Sequence, residues 1–301
     1  MTKEEVLRIF VEERPSCIAS YGYGSGVFKQ DGYETGKKPQ MDIIFIVDDL
    51  KTWHLNNMEQ NPHDYCLMGR LHLSLSSIKS IKGKNNITYF SQIKSQDNLF
   101  KYGVIEDKDF IKSLKRWDNI FVAGRFHKPV LEISSNDVIR DAISYDREMA
   151  LMFACLLSDE VTTEVEIYKK LCGLSYMGDT RMLFAENPNK VVNIVNGNYG
   201  LLHNIYGLHN YYLEQDGDNI IVNHDAIINS ITCWPEGLVD YLAMKDTNLG
   251  NVTEVQRNVK EFFVLKNREE SMCQTLDGFR ANGLVRSVPY ILAKVDKKIR
   301  G

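Results

Sequence analysis

The chain has 301 residues, of which 44% are hydrophobic, 25% charged and 10% aromatic, and its formal net charge is −4. That apolar and aromatic content excludes a disordered chain, and the acidic balance excludes nucleic acid as a primary partner, because binding a phosphate backbone requires a basic surface. The length exceeds what one hydrophobic core ordinarily serves, so more than one structural unit is expected.

Residues Lys3 to Glu13 place Val6, Ile9 and Phe10 at helical spacing, and Pro15 closes the segment. The acids Glu4, Glu5, Glu12 and Glu13 in this opening helix are foreign to an export or organelle-targeting leader. CIASYGYGSGVF then reads as a strand running into a glycine-rich turn, and MDIIFIVDD, from Met41, as a second strand too apolar to have a wet face and therefore central to a sheet. Leu50 to Met68 carries Trp53, His54, His63 and Tyr65, which either line a pocket or pack. Further strands are expected at Ile87–Phe90, Lys101–Ile105 and Asn119–Gly124, with a helix over Asp107–Trp117.

From Asn136 the pattern becomes helical, with helices expected at Asn136–Leu157, Thr163–Leu171 and Asn198–His209. Asp216-Gly217 sets the turn of a hairpin between Tyr211–Glu214 and Asn219–Asn223, and helices followed by such a hairpin suggest a winged-helix-like unit. Pro235–Leu242, Val252–Lys266 and Ser271–Ala281 read as helices, before a basic ending that includes Lys294, Lys297, Lys298 and Arg300. The fold class is therefore α+β: a mixed sheet with helices over 1–135, a mainly helical winged-helix-like unit over 136–235 and a helical region over 236–301. The most apolar stretch, Met149–Leu157, is far shorter than the ~20 residues of a membrane-spanning helix. Six scattered cysteines without a Cys-x-x-Cys pair fit a reducing compartment and indicate neither zinc nor a disulfide framework.

The chemistry concentrates at Gly24-Ser25-Gly26. Glycines directly after a strand let successive backbone amides converge on an anion, which makes the turn a phosphate cradle or, on those three residues alone, an ordinary hairpin turn. Asp42 heads the next strand, where a carboxylate could hold a divalent ion that bridges a polyphosphate. Two acids separated by one residue would share a strand face, but the second position is Ile44. Asp48 and Asp49 are further metal candidates, yet they lie about 20 Å along an extended strand from Asp42, and they read equally as a strand exit and helix cap.

YGSGVF, MDIIFIVDD and WHLNNMEQNPHDY, followed in order by KYGVI, NIFVAGRFHKPV, GLSYMGDTRM and KVVNIV, resemble the mitochondrial-type CDP-diacylglycerol synthase family, also named for translocator assembly and maintenance. The resemblance is clear from Ala19 to Val195 and thins afterwards; the family's Ser-Ser-x-x-Gln-type ending is not reproduced in SVPYILAKVDKKIRG. It implies a nucleotidyltransferase domain that binds CTP and Mg²⁺, followed by a winged-helix-like domain, in an enzyme that joins CMP to phosphatidic acid with release of pyrophosphate. Gly24, Ser25 and Gly26 would then hold the nucleotide phosphates, and Asp42 the metal. Lys101, Arg125 and Lys128 would neutralise triphosphate or lipid phosphate, unless they are simply solvated. Asp179 and Arg181 would close over the site or form a structural ion pair. A lipid substrate implies peripheral contact with a membrane, and the absence of a leader points to a bacterial homologue on the cytoplasmic side. Two rivals remain: a nucleotidyltransferase acting on a small molecule or protein, and a non-enzymatic winged-helix interaction protein, which the missing second acid would suit.

Overall fold

The computed structural model describes residues 1–29, 31, 39–65, 82, 84–184, 187–208, 210–274 and 277. Helix α1 (Lys3–Glu12) starts at a capping box between Thr2 and Glu5 and buries Leu7 and Phe10. Five strands form a mixed sheet in the order β3-β4-β2-β1-β5: β1 (Ala19–Tyr23), β2 (Met41–Val47), β3 (Thr88–Ser95), β4 (Asn98–Glu106) and β5 (Leu131–Ser134). β2 pairs antiparallel with β1 and parallel with β4, so it is central, as its apolar run predicts.

Alternation along β2 divides two cores. Ile43, Phe45 and Val47 join α1 and α2 (Leu50–Gln60) on one face, whereas Ile44 and Ile46 join Tyr21, Tyr23 and the helical half of the chain on the other. Trp53, His54 and Tyr65 belong to the first face. Trp53 meets Phe45, and His54 is fully buried with Nδ1 2.9 Å from the Tyr65 hydroxyl. Burial lowers the His54 pKa to about 3, so it is a neutral packing residue and not a pocket wall. His63 is exposed on the turn that follows α2.

After β4, α3 (Asp107–Arg116) ends at Trp117, whose φ of 56° places it in the left-handed region. The segment read as a strand at Asn119–Gly124 is instead helix α4 (Ile120–Phe126). Asn119 caps it by accepting from the Phe121 amide, and Ile120 to Gly124 are all buried, so no amphipathic period marks the helix in sequence. Gly124 packs so closely that a methyl group there would lie 2.4 Å from Ser175 Cβ.

The helical half contains α5 (Asp137–Leu156), β6 (Val161–Thr162), α6 (Glu164–Gly173), α7 (Arg181–Phe184), α8 (Lys190–Tyr206), β7 (Leu213–Asp216) and β8 (Asn219–Val222). The small antiparallel sheet has the order β6-β8-β7. The hairpin turn is Gly217-Asp218, one residue later than the Asp216-Gly217 expected, with Asp216 paired to Asn219 and Gly217 at φ +60°. Helix α8 starts at Lys190 and kinks at Asn198, the residue at which sequence places its beginning. Asn198 Nδ2 donates to the Ile194 carbonyl and to the Lys29 carbonyl, tying the kink to the chain that follows the glycine turn.

α9 (His224–Asn229) and α10 (Glu236–Met244) lead to α11, a single helix over 252–274 where sequence suggests two. One apolar cluster runs from Ala19, Tyr21 and Ile44 of the sheet through α4 and α5 to Val259, Phe262 and Phe263 of α11. None of the described helices is long and apolar enough to cross a membrane. The basic ending from Ile291 lies outside the described residues.

Candidate active site

Tyr23, Asp42 and Lys101 stand side by side across β1, β2 and β4: Tyr23 is in register with Asp42, and Asp42 with Lys101. Side chains in register point to the same face. That face is the one covered by the helical half, since Tyr23 and Ile44 belong to its core.

The glycine turn begins where β1 ends, over this row. Gly24 has φ +77°, which an L side chain adopts only under strain, and a methyl group on it would sit 2.9 Å from Asp42 Oδ2. Gly24 thus leaves the carboxylate open to the turn. Its carbonyl accepts from the Val27 amide at 3.1 Å and from the Phe28 amide at 2.9 Å, which closes the turn on itself. Gly26 passes so near β2 that a methyl group would meet the Gln40 carbonyl oxygen at 2.1 Å. Both glycines are required by close approach, which lifts this turn above an accidental match.

Arg125 lies in the last turn of α4 and Lys128 two residues beyond its end, where sequence suggests the end of a strand at Asn119–Gly124. The Arg125 guanidinium lies 4.4 Å from the Phe121 ring and 5.7 Å from the Tyr23 ring, and its buried Nε has no hydrogen-bond acceptor among the described residues. Tyr89 holds Lys101 Nζ 4.4 Å from its ring. Burial, then the neighbouring hydroxyl of Tyr89 and the charge of Asp42, raise the Tyr23 pKa well above its ordinary value. Lys128 Nζ donates to the Gly124 carbonyl and to Ser175 Oγ, and burial lowers its pKa to about 7, with Arg125 and Lys190 adding to the effect.

Asp179 and Arg181 form an ion pair through Nε at 2.9 and 3.1 Å, while the Arg181 guanidinium stands 5.5 Å from the Phe121 ring that also carries Arg125. Of the two readings of this pair, the ion pair is the one the structure shows. Asp48 and Asp49 do not join the site. They are exposed beyond the far end of β2, and Asp49 caps α2 by accepting from the Thr52 amide. The bent geometry needed to bring them back to Asp42 is absent from β2, which is extended throughout. Ile44, where a second acid would stand, is fully buried in the core. No cluster of three or more His, Cys, Asp or Glu side chains fit to hold a metal exists among the described residues.

Tyr23, Tyr89 and Phe121 went unnoticed in sequence, although Tyr23 lies inside the YGYGSG run. Their rings insulate the cations. A single carboxylate, a glycine turn and several cations on one sheet face suit a polyphosphate better than a neutral ligand.

A family model for phosphatidate cytidylyltransferase, mitochondrial, matches residues 4–230, a span wider at both ends than the motifs between Ala19 and Val195. The chain is 30% identical over 330 residues to the mitochondrial phosphatidate cytidylyltransferase of Schizosaccharomyces pombe, covering 98% of this chain and 84% of that protein. It is 31% identical over 312 residues to the Danio rerio protein of the same name, at 94% and 90% coverage, and 33% identical over 324 residues to that of Bos taurus, at 99% and 94%. The match runs through the glycine turn, the sheet row and most of the helical half alike, and by it the chain belongs to the mitochondrial phosphatidate cytidylyltransferase family.

Proposed function

We propose that this protein transfers CMP from CTP to phosphatidic acid, giving CDP-diacylglycerol and pyrophosphate. The observation that carries the reading is the in-register row of Tyr23, Asp42 and Lys101 beneath a glycine turn whose first residue leaves room for the Asp42 carboxylate.

The lipid phosphate is already an anion at neutral pH, so no strong general base is needed for its attack on the α-phosphorus of CTP. Charge neutralisation and alignment are the tasks left to the protein. Amides of Gly24 and Gly26 and the Ser25 hydroxyl hold the nucleotide phosphates. Lys101, Arg125 and Lys128 balance the charge that builds on the departing pyrophosphate, with Arg181 at the border of the cluster. A magnesium ion carried with the nucleotide fits one carboxylate, because Mg²⁺ characteristically takes one or two protein carboxylates and fills its remaining positions with phosphate oxygens and water. Asp42 would hold it, and there it would screen the phosphates from one another. Burial of Ile44 leaves Asp42 as the one acid of β2 for that role.

Access to a lipid phosphate calls for peripheral contact with a membrane, on the cytoplasmic face if the source is bacterial. The alternation of apolar residues with Lys294, Lys297, Lys298 and Arg300 near the end of the sequence supports it. Liposomes containing phosphatidic acid, incubated with labelled CTP and Mg²⁺, should yield labelled CDP-diacylglycerol with wild type and almost none with Asp42→Ala of unchanged circular dichroism. Full activity in Asp42→Ala refutes the assigned site, and preference for ATP with a polar acceptor refutes the substrate assignment.

A further inference from the structure

Helix α11 contributes nothing to the glycine turn or the sheet row, yet three polar side chains in its final third are sealed from water. Asn267 is 5% exposed, Glu270 6% and Ser271 1%. Burying polar groups is costly unless they find partners, so the partners reveal what the burial is for. All three reach segments that carry the site's cations. Asn267 Nδ2 donates to the Leu174 carbonyl at 2.7 Å and to the Met177 carbonyl at 2.9 Å. Ser271 Oγ accepts from the Thr180 amide at 3.2 Å, between Asp179 and Arg181. Glu270 Oε1 accepts from the Ile120 amide at 2.9 Å, at the start of the helix that ends with Arg125 and leads to Lys128. Asn85 extends the arrangement, with its Nδ2 donating to the Glu270 carbonyl while its own carbonyl accepts from Asn119, the cap residue of α4. The backbone of α11 also abuts the loop: Gly178, at φ +76°, leaves no room for a methyl group beside the Val264 carbonyl, which would be 2.4 Å away.

We propose that Asn267, Glu270 and Ser271 make α11 a positioning element that sets α4 and the 174–181 loop in mutual register, so that Arg125, Lys128 and Arg181 converge on the CTP phosphates. The inference rests on the reading of the site given above. Glu270 acts on helix α4 as a fixed acceptor and not as a charge. Its second oxygen has no partner among the described residues, and burial raises its pKa to about 8, so near neutrality it carries a proton. A glutamine offers the same carbonyl acceptor without charge.

The test compares Glu270→Ala and Glu270→Gln in the full chain, with Val255→Ala as a control, because Val255 is fully buried on the same helix and has no polar side-chain atom with which to hold either segment. CTP affinity in the presence of Mg²⁺ is measured by calorimetry and amide hydrogen exchange by mass spectrometry. Glu270→Ala should weaken CTP binding by about 10-fold to 100-fold, the scale on which small misplacements act. It should also speed exchange in both α4 and the 174–181 loop. Glu270→Gln should restore both properties, and Val255→Ala should lower the melting temperature while leaving CTP affinity intact. Equal loss of affinity in Val255→Ala, or CTP binding by Glu270→Ala at the wild-type level, overturns the proposal. Wild type that binds no CTP would refute the site itself; exchange would still decide the positioning role, which fails if α4 and the loop are unchanged in Glu270→Ala.

Discussion

Replacing Gly24 by alanine separates the demands of the turn from those of the carboxylate. At φ +77° the new side chain pays the left-handed penalty, about 1–2 kcal/mol. Gly217 offers the reference, since it has φ +60° at the β7–β8 turn and nothing within 4 Å of where its methyl group would lie. Both alanine variants should therefore melt earlier by similar amounts, on the order of 2–4 °C per kcal/mol. Only Gly24→Ala should lose activity. Its methyl group would stand 2.9 Å from Asp42 Oδ2, inside van der Waals contact, and the carboxylate, as the free end of a side chain, is what moves. Displacing a catalytic group by about 1 Å costs on the order of 100-fold in rate. Initial rates of CDP-diacylglycerol formation, measured on liposomes at saturating phosphatidic acid, should fall by that order for Gly24→Ala and stay at the wild-type level for Gly217→Ala. If Gly24→Ala keeps wild-type kcat/KM for CTP, the Asp42 carboxylate does not work beneath the turn and the argument for the site collapses.

Lys128, with its pKa lowered to about 7 by burial, should give the free protein a stability that rises with pH from about 7 towards the ordinary lysine value, because across that window the unfolded chain binds a proton that the folded chain lacks. CTP should draw the proton back, so calorimetry in buffers of different ionisation enthalpy should show proton uptake on binding near pH 8, abolished in Lys128→Met; unchanged uptake in that variant would exclude the lysine. His54→Phe removes a hydrogen-bond partner of the Tyr65 hydroxyl and should lower stability by about 1–3 kcal/mol, read from urea melts, with KM for CTP unaltered. A changed KM would return His54 to the site.

The parts of this fold that sequence makes legible are those where one local signal is strong. β2 shows as an unbroken apolar run, the β7–β8 hairpin as an Asp-Gly turn, and α5 as a long helical period. The first strand acid and the glycine turn could be paired because both lie next to recognisable strands. α4 could not be read, since a seven-residue helix buried on nearly every side has the composition of a core strand. The kink at Asn198 hid the first two turns of α8. In α11 the polar run from Asn267 to Ser271 interrupts the apolar period and reads as a helix boundary, whereas those residues are buried and hydrogen-bonded to other segments. Partners supplied from distant positions in the chain carry no local trace. The aromatic rings around Arg125 were missed for the same reason, since Tyr23, Tyr89 and Phe121 meet only once the sheet and α4 have been assembled.

The apolar cluster that spans both halves of the chain has a bearing on how the molecule comes apart. Scission between 135 and 136 would bare Ala19, Tyr21, Ile44 and Ile46 on one fragment and strip α5 and α11 of their packing on the other. Neither piece would then retain a dry interior of its own on that side, so heat should melt the two halves in one concerted step.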